Sequence, residues 1–232
     1  MRLFFLIYLM SAVSLATTFK EKHFDPFAAR LIDRTSLTIL LAGGATVAAV
    51  NPHDDSIRED WKAHQKMSSS QASVGDYIGT GGLGVLITAG QYLWDENPNH
   101  YQSHVRALTY STLATYALKY SFGRRRPGGS QSPHSFPSGH TSTIFATATA
   151  MTYTYGWKGA LVTYPIAIFV GLSRLADDAH WASDLVGGAV VGFLTARAST
   201  YDFDENSATS TAMMVYPVFH NDSLGAGLYV SF

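Results

Sequence analysis

The chain has 232 residues, 16 Lys+Arg against 17 Asp+Glu, 47% hydrophobic residues and 14% charged ones. That length suits one domain with an appendage, and a charged share well below the ~25% of soluble proteins excludes a disordered polyelectrolyte and points to unusual burial or a membrane. The absence of cysteine excludes disulfide scaffolds, thiol catalysis and Cys-built metal sites, and a net charge of −1 supplies no global field for nucleic acid.

Residues 1–16 read as an export signal: Arg2 gives a minimal positive start, an apolar run follows over 3–10, and Ser14-Leu15-Ala16 ends on a small residue suited to cleavage. An exported chain without cysteine fits a bacterial envelope compartment, so the expectation is periplasmic, soluble or membrane-associated. Residues 17–70 form an N-terminal helical segment. Asp25-Pro26 opens a short helix through about Arg34. The stretch 35–53 carries no Asp, Glu, Lys or Arg and stops at Asn51-Pro52, and 54–65 is charged, partly amphipathic and predicted to lie on the surface.

Residues 71–200 are read as a helical-bundle core. A second uncharged stretch covers 77–94 and closes at Asp95-Glu96-Asn97-Pro98-Asn99. A helix over 100–120 follows, then a Gly/Pro/Ser-rich loop over 123–136, then helices near 139–155, 159–175 and 181–200. Residues 201–232 are read as an acidic linker (Asp202, Asp204, Glu205) and a terminal hairpin, with alternating Leu224, Ala226, Leu228, Val230 and Phe232 and a turn at 220–223. The fold class expected is all-α, a bundle of about six core helices with a short C-terminal β-hairpin packed on it. There is no internal repeat. Small and hydroxyl-bearing residues dilute the uncharged helices, so integral versus soluble stays open, with a soluble or membrane-apposed bundle expected.

Three segments carry chemistry when taken together. Lys119 precedes Arg126-Pro127 by seven residues; Pro137-Ser138-Gly139-His140 opens a helix; Ser173-Arg174 is followed by His180 and, one helical turn later, Asp184. Each has a plain structural alternative: cations at a helix C-terminus, an N-cap, and a surface i,i+4 pair. Jointly they supply the parts of phosphoryl transfer. Charge on three equatorial oxygens needs positioned cations and N–H donors, which Lys119, Arg126, Arg174 and a helix start at Ser138-Gly139 provide. Neutral imidazole is a nucleophile for phosphorus, and a carboxylate on its far nitrogen fixes the tautomer, a role for Asp184 on His180. His140 is left to protonate the leaving oxygen and then activate water.

This three-part set resembles the signature of the type 2 phosphatidic acid phosphatase, acid phosphatase and vanadium haloperoxidase superfamily, over roughly 77–200. The resemblance implies a helical bundle and metal-free hydrolysis of phosphate esters or anhydrides through a phosphohistidine, with no cofactor. It implies His180 as nucleophile, Asp184 as its orienting carboxylate and His140 as acid/base. Lys119, Arg126, Arg174 and the Ser138-Gly139 backbone would form the phosphate cradle. The substrate expected is a phosphorylated lipid or small phosphoester on the outer side of the inner membrane. A vanadium-dependent haloperoxidase, a phosphotransferase and a non-catalytic phospholipid-binding protein are the alternatives. Asp177 and Asp178 fall between Arg174 and His180, where they would repel phosphate, so they are expected to point away or pair with neighbouring cations. His100 and His104 are at i,i+4 without further ligands in view and are read as ordinary polar residues.

Overall fold

The computed structural model describes residues 17–130 and 132–202, and the backbone of 212–220 and 223–231. The expected export signal over 1–16 lies outside the described residues. Helix α1 (Asp25–Leu31) follows a π-helical turn and carries Pro26 in its first turn. Asp33 then caps α2 (Arg34–Val50), its carboxylate accepting from Ser36 N at 2.7 Å. Asn51-Pro52 ends α2 in a 3₁₀ turn, and the charged α3 (Asp54–His64) stops at Gln65 in the left-handed region.

The uncharged stretch over 77–94 proves to be parts of two helices. Ser68 and Gln71 form a capping box that starts α4 (Ser69–Gly79), and Gly81, at φ 97°, turns the chain into α5 (Gly82–Trp94). The box Ser-x-x-Gln is visible in the sequence as a helix start inside the polar stretch before residue 77. Helix α6 (Pro98–Phe122) starts at Asn97 and ends at Gly123, in the left-handed conformation usual for a helix stop. Helix α7 (Gly139–Ala176) leaves helical conformation at Gly156, which divides it into the two expected halves, and α8 (Ala182–Ser199) follows. Beyond residue 211 the backbone forms strands β1 (Ala212–His220) and β2 (Ser223–Ser231), antiparallel with Ala212 opposite Ser231. Their side chains, and the expected packing of the hairpin on the bundle, lie outside the described residues.

The α7–α8 pair is the centre of the bundle, and glycine makes it close. A Cβ on Gly188 would stand 2.7 Å from the Ser138 carbonyl oxygen, and one on Gly192 would stand 2.3 Å from that of Ser142. Both obstacles are backbone, which cannot rotate away. Gly192→Ala is therefore expected to cost about 2–3 kcal/mol, measured as a lowered thermal midpoint of the purified chain. Alanines Ala107, Ala146, Ala150 and Ala196 fill the seam between α6, α7 and α8. Ile144, Ala148, Tyr164 and Val170 form the larger core, which Ile78 and Leu83 cover from α4 and α5.

Large apolar side chains point the other way. Leu41, Leu86, Leu93, Leu113, Leu161 and Val162, on four helices, are 61% to 73% exposed. The small residues that dilute these helices thus sit at inter-helix contacts while leucines face outward, an arrangement that needs lipid or a partner to cover it. Residues Arg34–His64 and Gly139–Ala176 are long and apolar enough to cross a membrane by length and composition.

Candidate active site

The last turn of α6 carries Lys119, almost fully buried, whose Nζ donates to the carbonyl oxygens of His134 at 2.7 Å and Ser135 at 3.4 Å. The ammonium thereby pins the loop that returns to α7. Arg126, on that loop, has a buried Nε without a hydrogen-bond partner among the described residues. It lies within electrostatic reach of Lys119, His140 and His180. A buried guanidinium nitrogen with an unspent donor is costly unless an anion meets it.

Ser138 caps α7, and its own N–H donates to the Asp184 carbonyl at 3.0 Å, which ties the start of α7 to the start of α8. Gly139 follows it beside Lys119, with 3.8 Å between its notional Cβ and Lys119 Cε. The first N–H groups of a helix have no partner within it, so this cation and the helix start address the same space.

His180 precedes α8 and is buried. Its Nδ1 faces Asp184 Oδ2 at 3.4 Å and Ser135 Oγ at 3.5 Å, which leaves Nε2 for chemistry. Such long contacts are usual before substrate tightens a site. Burial pushes the imidazole down to about 4 against the upward pull of Asp184, and Arg126 and Lys119 push it the same way as burial. The ring is therefore neutral at pH 7, the form that attacks phosphorus. Asp184 is completely buried, and its Oδ2 also accepts from Trp181 N at 3.0 Å and from Ser135 Oγ.

The other imidazole, His140, places Nε2 3.0 Å from Asp76 Oδ1, close enough for an ion pair, although the angle is not that of a hydrogen bond. Arg174 is buried and bonds four ways, to Asp76, to Asp177, through Nε to Ser173 Oγ at 3.2 Å and through Nη2 to the Ala72 carbonyl at 3.4 Å. Two α4 glycines allow this: side chains on Gly75 and Gly79 would collide with Ser173 and His140. The structure thus groups His180, Asp184, Lys119 and Arg126 on one side and His140 with Arg174 on the other, with Arg126 within reach of both rings. The two halves also meet through the backbone, as His180 N donates to the Arg174 carbonyl at 3.3 Å.

Asp178 turns away, bonded to Arg58 at 2.5 and 2.7 Å, and that guanidinium holds its carboxyl below the usual range. Asp177 instead engages Arg174 itself. Sequence reasoning missed Ser135, Arg124, Asp54 and Asp76. Ser135 and Arg124 border recognised motifs, but Asp54 and Asp76 are brought in from helices far upstream and carry no local signal.

The PAP2 superfamily model matches residues 101–208, the stretch that holds all three motifs. The likeness to the PAP2 superfamily thus covers somewhat under half of the chain. Among curated proteins it is similar to lipid A 1-phosphatase of Porphyromonas gingivalis, 48% identical over 81 residues, which are 34% of this chain and 18% of that protein. It is also similar to lipid A 4'-phosphatase of Helicobacter pylori, 28% identical over 138 residues, 53% of this chain and 66% of that one. The chain thus spans less than two thirds of the length of either relative. Its fold is that of a transmembrane PAP2-type phosphatidylglycerolphosphate phosphatase from Bacillus subtilis, with a TM-score of 0.57 and 21% identity over 73% of this chain and 96% of that one.

Proposed function

We propose that this chain is a PAP2-type phosphatase that hydrolyses lipid-linked phosphate monoesters or pyrophosphates through a phosphohistidine, on the outer side of the inner membrane. In this reading residues 1–16 direct export, 71–200 form the catalytic core and the outward leucines contact lipid. The observation that carries it is the buried imidazole of His180, facing Asp184 and within electrostatic reach of Arg126, whose Nε has no partner among the described residues, with Lys119 against the start of α7.

The chemistry follows from those positions. Asp184 holds Nδ1–H of His180, and the Nε2 lone pair attacks phosphorus in line with the leaving oxygen. The P–O bond breaks as His140 gives that oxygen a proton, and Lys119, Arg126, Arg174 and the helix start at Ser138-Gly139 bear the charge on the equatorial oxygens. His140, now neutral, takes a proton from water, the water oxygen attacks phosphorus, and the P–N bond breaks to release phosphate. Arg174 serves the cradle once substrate phosphate displaces Asp76 from it. No step requires a metal. The relatives named for lipid A and phosphatidylglycerolphosphate support a lipid-linked substrate.

The test is phosphate release in mixed micelles from lipid A, phosphatidic acid, phosphatidylglycerol phosphate and undecaprenyl diphosphate, with nucleotides for comparison. Release from a lipid substrate is expected to be unaffected by EDTA and inhibited by orthovanadate, which mimics the trigonal-bipyramidal transition state. The acid limb of kcat/KM is expected at about pH 4, where His180 takes up a proton and ceases to be a nucleophile. Loss of activity on chelation would overturn the mechanism. Halide oxidation that depends on added vanadate, without hydrolysis, would assign the haloperoxidase activity instead.

A further inference from the structure

Asp184 has more partners than its histidine. Its Oδ1 accepts from Arg124 Nη1 at 2.7 Å, and the same nitrogen lies 2.7 Å from Ser183 Oγ. The other arm of the guanidinium, Nη2, bonds Asp54 Oδ2 at 2.7 Å. Asp54, the first residue of α3 and buried, accepts from Ser183 N at 2.9 Å through Oδ1 and from Ser183 Oγ through Oδ2. Three distant pieces of chain, the start of α3, the loop after α6 and the start of α8, therefore close on one carboxylate.

We propose that Arg124 and Asp54 are positioning residues for the nucleophile: Arg124 spans the two carboxylates and fixes which oxygen of Asp184 faces His180. This rests on the phosphohistidine reading and deepens it. A planar guanidinium anchored at both ends cannot swing, and neither can the carboxylate oxygen it holds. With Oδ1 occupied, only Oδ2 is turned to the imidazole. Asp54 contributes in two ways. It accepts an N–H that α8 cannot satisfy itself, and its negative charge at that helix start keeps Arg124 in place.

The charges also balance in the direction the reaction needs. Asp54, Arg124 and Asp184 together carry one net negative charge, which the imidazolium formed when His180 takes the phosphoryl group neutralises. Burial opposes ionisation, but the hydrogen bonds from His180 and Ser135 and the charge of Arg124 hold the Asp184 carboxyl below its usual range, so Asp184 orients the ring without taking its proton. The charged groups facing His180 are Asp184 from α8, Lys119 from α6 and Arg126 from the loop, while Arg174, from α7, meets it through its carbonyl. Arg124 reaches the ring only through Asp184.

The test uses the full chain in detergent, with Arg124→Gln, Arg124→Lys, Asp54→Asn and the Asp54→Asn/Arg124→Gln double variant. Three quantities are measured: kcat and KM on p-nitrophenyl phosphate, thermal midpoint, and the pH titration of His180 by histidine side-chain nitrogen NMR. Arg124→Gln is expected to lower kcat about 100-fold with KM changed less than about threefold, and Asp54→Asn to lower it about 10-fold. Arg124→Lys should recover part of the loss, and the double variant should be no worse than Arg124→Gln, since both act through Asp184.

Removing Arg124 exposes His180 to the full charge of Asp184, so its titration midpoint should rise by about one pH unit. A role confined to stability would lower the thermal midpoint and leave that titration unmoved, and an unmoved titration overturns the proposal. So do additive losses in the double variant. If Arg124→Gln does not fold, Arg124→Lys and Asp54→Asn carry the same readouts. The titration does not depend on turnover. A wild type that releases no phosphate overturns the phosphatase reading, while the shift still decides whether Arg124 sets the environment of His180.

Discussion

Changing His180 to Ala is expected to lower lipid-phosphate hydrolysis by about 10⁴-fold or more, with inhibition by orthophosphate changed less than about fivefold. The asymmetry comes from the division of labour in the site. In the proposed mechanism phosphate is held by Lys119, Arg126, Arg174 and the start of α7, whereas the His180 ring bonds to Asp184 and Ser135 and only its backbone N–H meets Arg174. Loss of the ring removes the attacking lone pair and leaves the cradle. Steady-state rates on a lipid phosphate, with product inhibition in the same assay, check both halves. Equal losses in rate and phosphate affinity would mean that His180 belongs to the cradle and not to the bond-making step.

Changing His140 to Ala separates substrates by their leaving groups. A lipid alkoxide is a poor leaving group and needs a proton as the P–O bond breaks, so hydrolysis is expected to fall by about 10²–10⁴-fold. Nitrophenolate leaves without help. With p-nitrophenyl phosphate the first step survives, but the second lacks the base that activates water, so about one equivalent of nitrophenol per chain should appear in a burst before turnover slows. Stopped-flow absorbance reads this directly. Equal losses on both substrates with no burst would remove His140 from proton transfer and leave it as a neighbour of Arg174 and Asp76.

How much of this was legible in the sequence depended on the range of the interaction. Helix ends were readable where one residue sets them, as Pro26, Asn51-Pro52 and Gly123 do. The division of α7 near Gly156 was readable for the same reason. The split at Thr80-Gly81 was not, because the apolar pattern runs on through a turn that one glycine makes. The three motifs gave the site residues in chain order, but their spacing says nothing about what holds them.

Asp54 and Asp76 lie outside the stretch the PAP2 model covers and reach Asp184's clamp and Arg174 only through tertiary packing. Arg124 could be read from sequence only as one of three consecutive arginines. The expectation of a soluble or membrane-apposed bundle weighed the helices by average composition. The folded chain separates small residues inward from leucines outward, and that sorting, invisible in an average, marks the face that lipid or a partner must cover.

The most direct measurement locates the phosphoryl group on the protein during turnover. The His140→Ala variant, mixed with labelled p-nitrophenyl phosphate, is quenched in alkali, digested and mapped by mass spectrometry. About one phosphate per active chain on the imidazole of His180, acid-labile and absent when His180 is also replaced, is the predicted result. Turnover with no label on residue 180, or with label on a different side chain, would contradict the account.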